Sequence, residues 1–176
     1  EQLKKLKLEE NTLVIYFSDN GPNSFRWNGG MKGRKGSTDE GGVRSPFFMQ
    51  WKGTIPEGKL IKEIAGAIDL FPTLMDLLGI SYNPDKSFDG KSLKPLIFNE
   101  NATWEDRIIY RHWNNRTSLR TQDFLLDHEG NLFDMNKDPY QQYPIQDSKP
   151  ELTAKLSSAK DTWENEMANE LENDLK

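Results

Sequence analysis

The first block of apolar residues along the chain predicts a β-strand. The run TLVIYF, from Thr12 to Phe17, is continuously apolar and rich in β-branched residues. Such a run is typical of a strand that is covered on both faces, as in a parallel α/β sheet. The next candidate strand is PFFMQW, from Pro46 to Trp51. The sequence therefore predicts that the remaining strands of this sheet lie upstream.

The segment DLFPTLMDLLG predicts an amphipathic helix that covers the sheet. Asp69 is positioned to cap the helix, Pro72 falls in the first turn, where its missing N–H costs little, and Gly79 ends the helix. An apolar stripe is formed by Leu70, Leu74, Leu77 and Leu78. The turn-rich stretch from Asn83 to Ile97 predicts a connector.

From about Arg107 onwards, short strands alternate with turns in the pattern of an antiparallel meander. Residues 148–151 form a capping-box pattern for a last helix, whose apolar residues recur at three- and four-residue steps and predict a face that packs on the meander. The predicted fold class is therefore α/β to α+β. Residues 1–100 form the end of an α/β domain, and residues 101–176 form a small antiparallel sheet packed by a C-terminal helix.

Composition excludes several classes of function. The net charge of the 176-residue chain is −5, which argues against a nucleic-acid coat or a membrane-surface protein, since both usually need a positive field. No apolar run approaches the roughly 20 residues of a membrane span. The chain contains no cysteine, so thiol catalysis, thiolate metal sites and disulfides are excluded within it. Any anion site must be local.

Polar residues follow the first predicted strand directly, in the order Ser18-Asp19-Asn20-Gly21. The carboxyl ends of strands in an open α/β sheet form the crevice where ligands bind. Asp19 offers a carboxylate and Asn20 an amide carbonyl, and both are hard oxygen donors suited to Ca²⁺ or Mg²⁺. The alternative interpretation is an Asx turn that ends the strand.

The glycine-rich segment NGGMKGRKGSTDEGG offers a second candidate site. Its glycines would let the backbone approach a ligand closely, and Lys32, Arg34 and Lys35 are candidate contacts for an anion. The order Lys35-Gly36-Ser37 does not match a P-loop, and the spacing of the glycines does not match a dinucleotide loop. The alternative interpretation is a flexible, solvated basic loop.

Taken together, these blocks resemble the type I sulfatases of the alkaline phosphatase superfamily. The matching elements cover most of residues 12 to 165 and are SDNG, GGMKGRKGSTDEGGVRSPF, DLFPTLMDLLG, DGKSLKPLI and LFDMNKDP. The resemblance implies the C-terminal part of an alkaline-phosphatase-like sulfatase domain. It also implies that the protein is exported to the periplasm, the extracellular space or the lysosome.

The resemblance assigns roles to individual residues. Asp19 and Asn20 would supply two ligands of an active-site Ca²⁺, with Mg²⁺ as the alternative ion, and Lys35 would contact the sulfate group and act in catalysis. Glu40 and Arg44 are expected to support the site structurally through a charge-assisted pair.

The family nucleophile is a formylglycine made from Cys or Ser in the motif Cys/Ser-x-Pro-Ser/Ala-Arg, which this chain lacks. It is expected upstream, so the chain by itself is expected to be inactive. In the whole protein, the expected partners are the rest of the sulfatase chain and a sulfated small molecule or glycan, whose identity the sequence does not specify. Nucleic acid and membrane are not expected partners.

Two other functions remain open. A phosphatase or phosphodiesterase of the same superfamily would use a similar metal site with a Ser or Thr nucleophile, usually with additional histidine ligands. A non-enzymatic anion- or carbohydrate-binding module would use the Lys35 loop for binding only. The only histidines are His112 and His128, and both are expected in packing, turn or surface positions.

Overall fold

The computed structural model describes residues 1–82 and 87–174. Residues 83–86, with which the predicted connector begins, lie outside the described residues. The helices are α1 (Gln2–Lys5), α2 (Glu40–Val43), α3 (Leu70–Leu77), α4 (Lys94–Phe98) and α5 (Pro150–Asp174). The strands are β1 (Val14–Phe17), β2 (Phe47–Gln50), β3 (Ile109–Trp113), β4 (Arg116–Arg120), β5 (Phe124–Leu126) and β6 (Leu132–Asp134).

The chain divides into two compact units, and each unit is discontinuous in sequence. The first unit contains Glu1–Phe17 and Pro46–Asp106, and the second contains Ser18–Ser45 and Arg107–Lys176. The glycine-rich segment therefore folds in the same unit as the C-terminal strands. The division into domains at residue 100 stays a prediction.

In the first unit, β1 pairs with β2 in antiparallel register, with Val14 opposite Gln50 and Phe17 opposite Phe47. Of the described strands, the partner of β1 is therefore antiparallel, so PFFMQW is not the parallel neighbour that a doubly covered strand is expected to have. The strands are joined by a long segment whose ends are held together, because the Gly21 N–H donates to the Gly42 carbonyl (2.8 Å). The chain thus returns alongside β1 in the opposite direction. Large apolar side chains of this pair are exposed, namely Tyr16, Phe17, Phe47 and Phe48.

Helix α3 forms where the sequence predicts it and ends before Gly79, whose φ of +66° is the left-handed conformation that glycine favours. Asp69 does not cap the helix through its side chain. Its buried carboxylate instead accepts hydrogen bonds from the N–H groups of Gly66 and Lys91, both at 2.8 Å. This carboxylate therefore joins the start of α3 to the segment before α4.

A second buried polar residue makes the same connection. The Thr73 hydroxyl donates to the Asp69 carbonyl (2.6 Å) and accepts from the Leu93 N–H (2.9 Å). The apolar core of this unit lies next to that bond, around Leu93, Leu96 and Ile97. In the leucine stripe predicted for α3, three residues are half-buried and Leu78 is exposed; the half-buried residues are Leu70, Leu74 and Leu77.

The second unit contains the predicted meander. Strands β3, β4, β5 and β6 form a four-stranded antiparallel sheet in sequence order, so this prediction is confirmed. Helix α5 packs on the sheet through Leu156, which joins Leu119, Leu126 and Leu132 in a buried cluster. This packing places apolar residues of the helix on the sheet, as their spacing predicts.

An aromatic pair extends the contact between α5 and β3. The rings of Trp163 and Tyr110 are stacked, with centroids 4.9 Å apart and planes within 7°. Burial raises the pKa of the Tyr110 hydroxyl, and the negative charge of Glu166 adds to the effect. Across residues 1–82 and 87–174, none of the helices has the length and apolar character needed to cross a membrane.

Candidate active site

The predicted metal-binding pair lies just beyond the end of β1. Asp19 is exposed and Asn20 is half-buried, and both lie in a bend, so strand alternation does not force their side chains apart. Within the described part of the chain, neither side chain makes a hydrogen bond or an ion pair to another residue. Their oxygens are therefore available to a ligand. They fit two of the roughly six to eight oxygen ligands that Ca²⁺ takes.

Glycines allow the following segment to fold back on itself. A Cβ on Gly21 would overlap the carbonyl oxygen of Gly41, and a Cβ on Gly41 would lie 2.6 Å from the carbonyl oxygen of Lys32. Real side chains do not tolerate such distances, so only glycine fits. At these positions glycine serves the packing of backbone against backbone, whereas the sequence suggested the approach of backbone to a ligand.

Lys35 lies in the middle of this segment with an exposed side chain. Its N–H donates to the carbonyl of Pro22 (3.0 Å), which fixes the backbone at the position of the lysine. Within residues 1–82 and 87–174, no carboxylate pairs with its ammonium group. The backbone is thus held while the charge stays free for a ligand.

A depression of about 540 Å³ lies beside Lys35 and is strongly cationic. Arg26, Arg34 and Arg116 line it together with Lys35, and no acidic residue does. The guanidinium of Arg34 lies over the ring of Phe25, 4.3 Å from its centroid. Asp19 and Asn20 are not among the described residues that line this depression.

Glu40 is the centre of a buried ionic network below the loop. One oxygen of its carboxylate accepts hydrogen bonds from both terminal nitrogens of Arg111, each at 3.0 Å. Arg44 lies 3.6 Å from the other oxygen, and the Nε of Arg120 lies 3.9 Å from the first. The Glu40 side chain is only 5% exposed, whereas that of Arg44 is 62% exposed. The main partner of Glu40 is therefore Arg111 rather than Arg44.

Arg120 is the most enclosed arginine of this network. Burial lowers the pKa of its guanidinium, while the charge of Glu40 acts in the opposite direction. Its terminal nitrogen donates to the carbonyls of Thr121, Gln122 (2.7 Å) and Phe124 (3.3 Å). Arg120 thus joins Glu40 to the turn between β4 and β5.

Hydrogen bonds reinforce this connection between the loop and the C-terminal sheet. The Glu40 N–H donates to the side-chain oxygen of Gln141 (2.9 Å), and the amide of Gln141 donates to Asp39 (3.2 Å). The hydroxyl of Ser118 in β4 donates to the carbonyl of Thr38 (2.7 Å). Gln141 and Ser118 lie beyond residue 110, whereas Thr38, Asp39 and Glu40 belong to the loop.

Lys32 does not act as a free cation, although the sequence groups it with Arg34 and Lys35. Its ammonium lies 3.4 Å from Asp39 and 3.6 Å from Asp127, and 5.6 Å from the ring centroid of Phe133. Lys32 is therefore a structural contact between the loop and the sheet.

Arg111, Arg116, Arg120 and Gln141 are the residues of this region that sequence reasoning did not identify. Each is far from the loop in sequence; Gln141 and Glu40, for example, are 101 residues apart. Strand alternation is the one signal in the sequence that bears on Arg111, because it places Arg111 and His112 on opposite faces of β3. Arg111 does bind Glu40, whereas His112 Nδ1 contacts the hydroxyl of Thr117 (2.8 Å).

The histidines occupy the kinds of position expected for them. The ring of His112 lies beside that of Trp163, with centroids 6.2 Å apart, and His128 lies in the turn between β5 and β6. In the described ranges 1–82 and 87–174, there is no cluster of three or more His, Cys, Asp or Glu residues that could hold a metal ion.

The chain is similar to known proteins in both sequence and structure. The family model "Sulfatase" matches residues 1–80. The chain is 38% identical over 123 residues to the uncharacterized sulfatase YdeN of Escherichia coli K12, a match that covers 64% of this chain and 21% of that protein. It is 44% identical over 97 residues to arylsulfatase A of Homo sapiens, covering 52% of this chain and 19% of that protein. The chain thus spans about a fifth of the length of these relatives.

The fold is similar to solved structures over nearly the whole chain. The crystal structure of Ps i-CgsB matches with a TM-score of 0.77 at 28% identity, covering 92% of this chain and 38% of that one. The same protein has been solved in complex with k-i-k-neocarrahexaose, and that structure matches with a TM-score of 0.76.

Proposed function

We propose that the whole protein hydrolyses sulfate esters, since this chain resembles the C-terminal part of the type I sulfatases in sequence and in fold. The observation that carries the proposal is the position of Lys35, whose ammonium has no carboxylate partner in the described chain, beside a cationic depression. Its backbone N–H is held by a hydrogen bond to Pro22. A sulfate ester is an anion, and four cations line this depression with no carboxylate among its described lining residues.

Lys35 would act on the charge that develops as the S–O bond breaks. An ammonium group placed at the sulfuryl oxygens stabilises the transition state electrostatically, and it can donate a proton to the leaving oxygen. The backbone bond from Lys35 to Pro22 and the Glu40–Arg111 pair below the loop would keep the ammonium in position. Glu40 and Arg44 therefore act as support and not as reacting groups.

Asp19 and Asn20 would hold Ca²⁺, or Mg²⁺ as the alternative, through one carboxylate and one amide oxygen. When bound, such an ion supplies positive charge at the sulfuryl group. The remaining ligands and the formylglycine nucleophile would come from residues outside this sequence, so the chain alone is expected to be inactive. We further propose that the protein is exported, as the resemblance implies, and that its substrate is a sulfated small molecule or glycan.

The test compares Lys35→Ala with the parent protein on an aryl sulfate and on the matching aryl phosphate. We expect Lys35→Ala to lower kcat/KM for the sulfate at least about tenfold, because a charge contact in the transition state is lost. Lys155→Ala, which removes an exposed lysine of α5, is the matched control and should leave turnover unchanged. Faster hydrolysis of the phosphate ester would favour the phosphatase alternative. Binding without turnover of either ester by the parent protein would favour a binding module.

A further inference from the structure

Gln141 has a backbone conformation that glutamine rarely adopts. Its φ is +56°, in the left-handed region, where a residue that has a Cβ is strained. Among the residues of ranges 1–82 and 87–174 that have a positive φ and are not glycine, only Gln141 is buried; the others are Lys7, Asn114 and Asn115. Strain at a buried position persists only where the surrounding structure holds it, and it points to a function for the residue.

The turn formed by residues 138–143, called here the Asp138 turn, holds this conformation. The buried carboxylate of Asp138 accepts hydrogen bonds from the N–H groups of Gln142 (2.7 Å) and Tyr143 (2.8 Å). The carbonyl of Asp138 accepts from the N–H of Gln141 (3.2 Å). These bonds fold the chain around Gln141, and the Gln141 side chain reaches the Lys35 loop, residues 28–42.

The amide of Gln141 uses both of its ends on consecutive residues of the loop. Its oxygen accepts from the N–H of Glu40 (2.9 Å), and its NH₂ group donates to Oδ1 of Asp39 (3.2 Å). An amide fits both partners because it offers an acceptor and a donor side by side. A glutamate at this position would present a second carboxylate to Asp39, and a lysine would offer no acceptor to the N–H of Glu40.

These two hydrogen bonds lie at the base of the segment that carries Lys35. The same oxygen of Asp39 that accepts from Gln141 lies 3.4 Å from the ammonium of Lys32. The N–H of Gly41 donates to the carbonyl of Lys32 (2.7 Å). Residue 32 and residues 39–41 are therefore held together, and Lys35 lies between them. Gln141 holds this closed base from outside the loop.

The position of Lys35 depends on such external contacts. Gly36, which directly follows Lys35, has a φ of +87°, so the chain beside the lysine is not restrained by a side chain. The ring of Tyr140 lies 3.0 Å from where a Cβ on Gly30 would stand. Tyr140 and Gln141 thus contact the loop on both sides of Lys35 in sequence.

We propose that Gln141 is a positioning residue for Lys35 in the proposed reaction: it keeps the base of the loop closed and thereby keeps the ammonium where the sulfate ester reacts. Gln141 is not among the described residues that line the depression beside Lys35, so it acts through Asp39 and Glu40. The inference rests on the proposed function and deepens it, because it gives a residue outside the loop control over the geometry of the same site.

The test uses the whole protein and an aryl sulfate. Gln141→Ala removes the amide and keeps the backbone strain, whereas Gln141→Gly removes the amide and relieves the strain. We expect both variants to lower kcat about tenfold with little change in KM, because a displaced ammonium is felt most in the transition state. Gln142→Ala, which removes the exposed side chain of the next residue in the same turn, is the matched control and should leave kcat unchanged.

Urea denaturation of the same variants separates positioning from a general loss of structure. Gln141→Gly should be more stable than Gln141→Ala, since glycine favours the left-handed conformation, and yet its kcat should stay low. A kcat that returns to the parent value in Gln141→Gly would show that turnover follows stability and would overturn the inference. An unchanged kcat in both variants would overturn it as well.

A double variant tests whether Gln141 acts through Lys35. Gln141→Ala combined with Lys35→Ala should be no slower than Lys35→Ala alone, because the ammonium that Gln141 positions is already absent. If the two losses of kcat/KM multiply instead, Gln141 acts by another route and the inference is overturned, while sulfatase activity stands.

A parent protein that hydrolyses no sulfate ester contradicts the proposed function, and hydrogen exchange then decides whether Gln141 positions the loop. The amide to follow is that of Lys35, whose N–H is bonded to the carbonyl of Pro22. Faster exchange at Lys35 in Gln141→Gly, with exchange in β3–β6 unchanged, supports the inference. Equal exchange at Lys35 in the variant and the parent, or faster exchange in the loop and the strands alike, overturns it.

Discussion

Removal of the Glu40 carboxylate is expected to be among the most damaging single changes in the second unit. Glu40→Gln keeps the size of the side chain but leaves Arg111, Arg120 and Arg44 around a neutral amide. The carboxylate is 5% exposed and accepts two hydrogen bonds of 3.0 Å, so water screens the interaction little. Loss of one partner from a buried ion pair typically costs about 3–5 kcal/mol. That is a large part of the roughly 5–15 kcal/mol that stabilises a whole domain.

The assay is urea denaturation of the protein, followed by tryptophan fluorescence, for the parent, Glu40→Gln, Arg111→Gln and the double variant. We expect the double variant to be less destabilised than the sum of the single variants, because the two residues act as one pair. The matched control is Lys137→Gln, which removes an ion pair at 3.6 Å whose lysine is 85% exposed and which should be worth less than about 1 kcal/mol. If Glu40→Gln were as mild as this control, the argument from burial would be refuted.

Two further predictions concern other parts of the chain. Leu156→Ala leaves a cavity in the cluster between α5 and the sheet, so it should lower the free energy of unfolding by about 2–5 kcal/mol in thermal or urea denaturation. Leu171→Ala, at a 66% exposed position of the same helix, is the control and should change the free energy of unfolding by less than about 0.5 kcal/mol. The hydroxyl of Ser92 and the ammonium of Lys94 hold the pKa of Asp76 below its usual value of 3.8. The ionised Asp76 carboxylate therefore stabilises the fold above pH 3.8, and this contribution is lost as the pH falls through the lower pKa of the folded state. In Asp76→Asn, the free energy of unfolding should therefore fall less steeply with decreasing pH in the acid range than in the parent protein. The same steepness in both proteins would show that Asp76 does not contribute to this pH dependence.

Local patterns in the sequence predicted the C-terminal part of the fold well. The strands β3–β6 and the helix α5 follow from alternation and from three- and four-residue spacing, which depend on neighbours close in sequence. The resemblance to type I sulfatases and the corresponding fold are confirmed by the family match and the structural relatives. The roles of Asp19, Asn20 and Lys35 stay predictions, since nothing in the fold alone assigns an ion or a substrate to them.

Other features could not be predicted because they depend on residues far apart. An apolar run such as β1 indicates a strand, but its partner β2 and the antiparallel direction of the pair depend on how the chain returns after the long segment between them. The carboxylate of Glu40 suggested a charge-assisted pair, and Arg44 was the candidate close in sequence. The main partner is Arg111, 71 residues away, because the fold leaves the Arg111 side chain only 15% exposed and that of Arg44 62% exposed.

The separation between the Lys35 loop and its anchors has a consequence for the order of folding during synthesis. The contacts from Arg111, Ser118 and Gln141 to the loop span 71, 80 and 101 residues. Contacts of such long range form late, because the chain must close a large loop first. The loop and Asp19 leave the ribosome early, but the groups that hold the loop are made much later. A nascent chain that has not yet reached Arg111 therefore holds the loop only by bonds within the loop itself. We expect the loop to be more open to proteases until Arg111, Ser118 and Gln141 contact it.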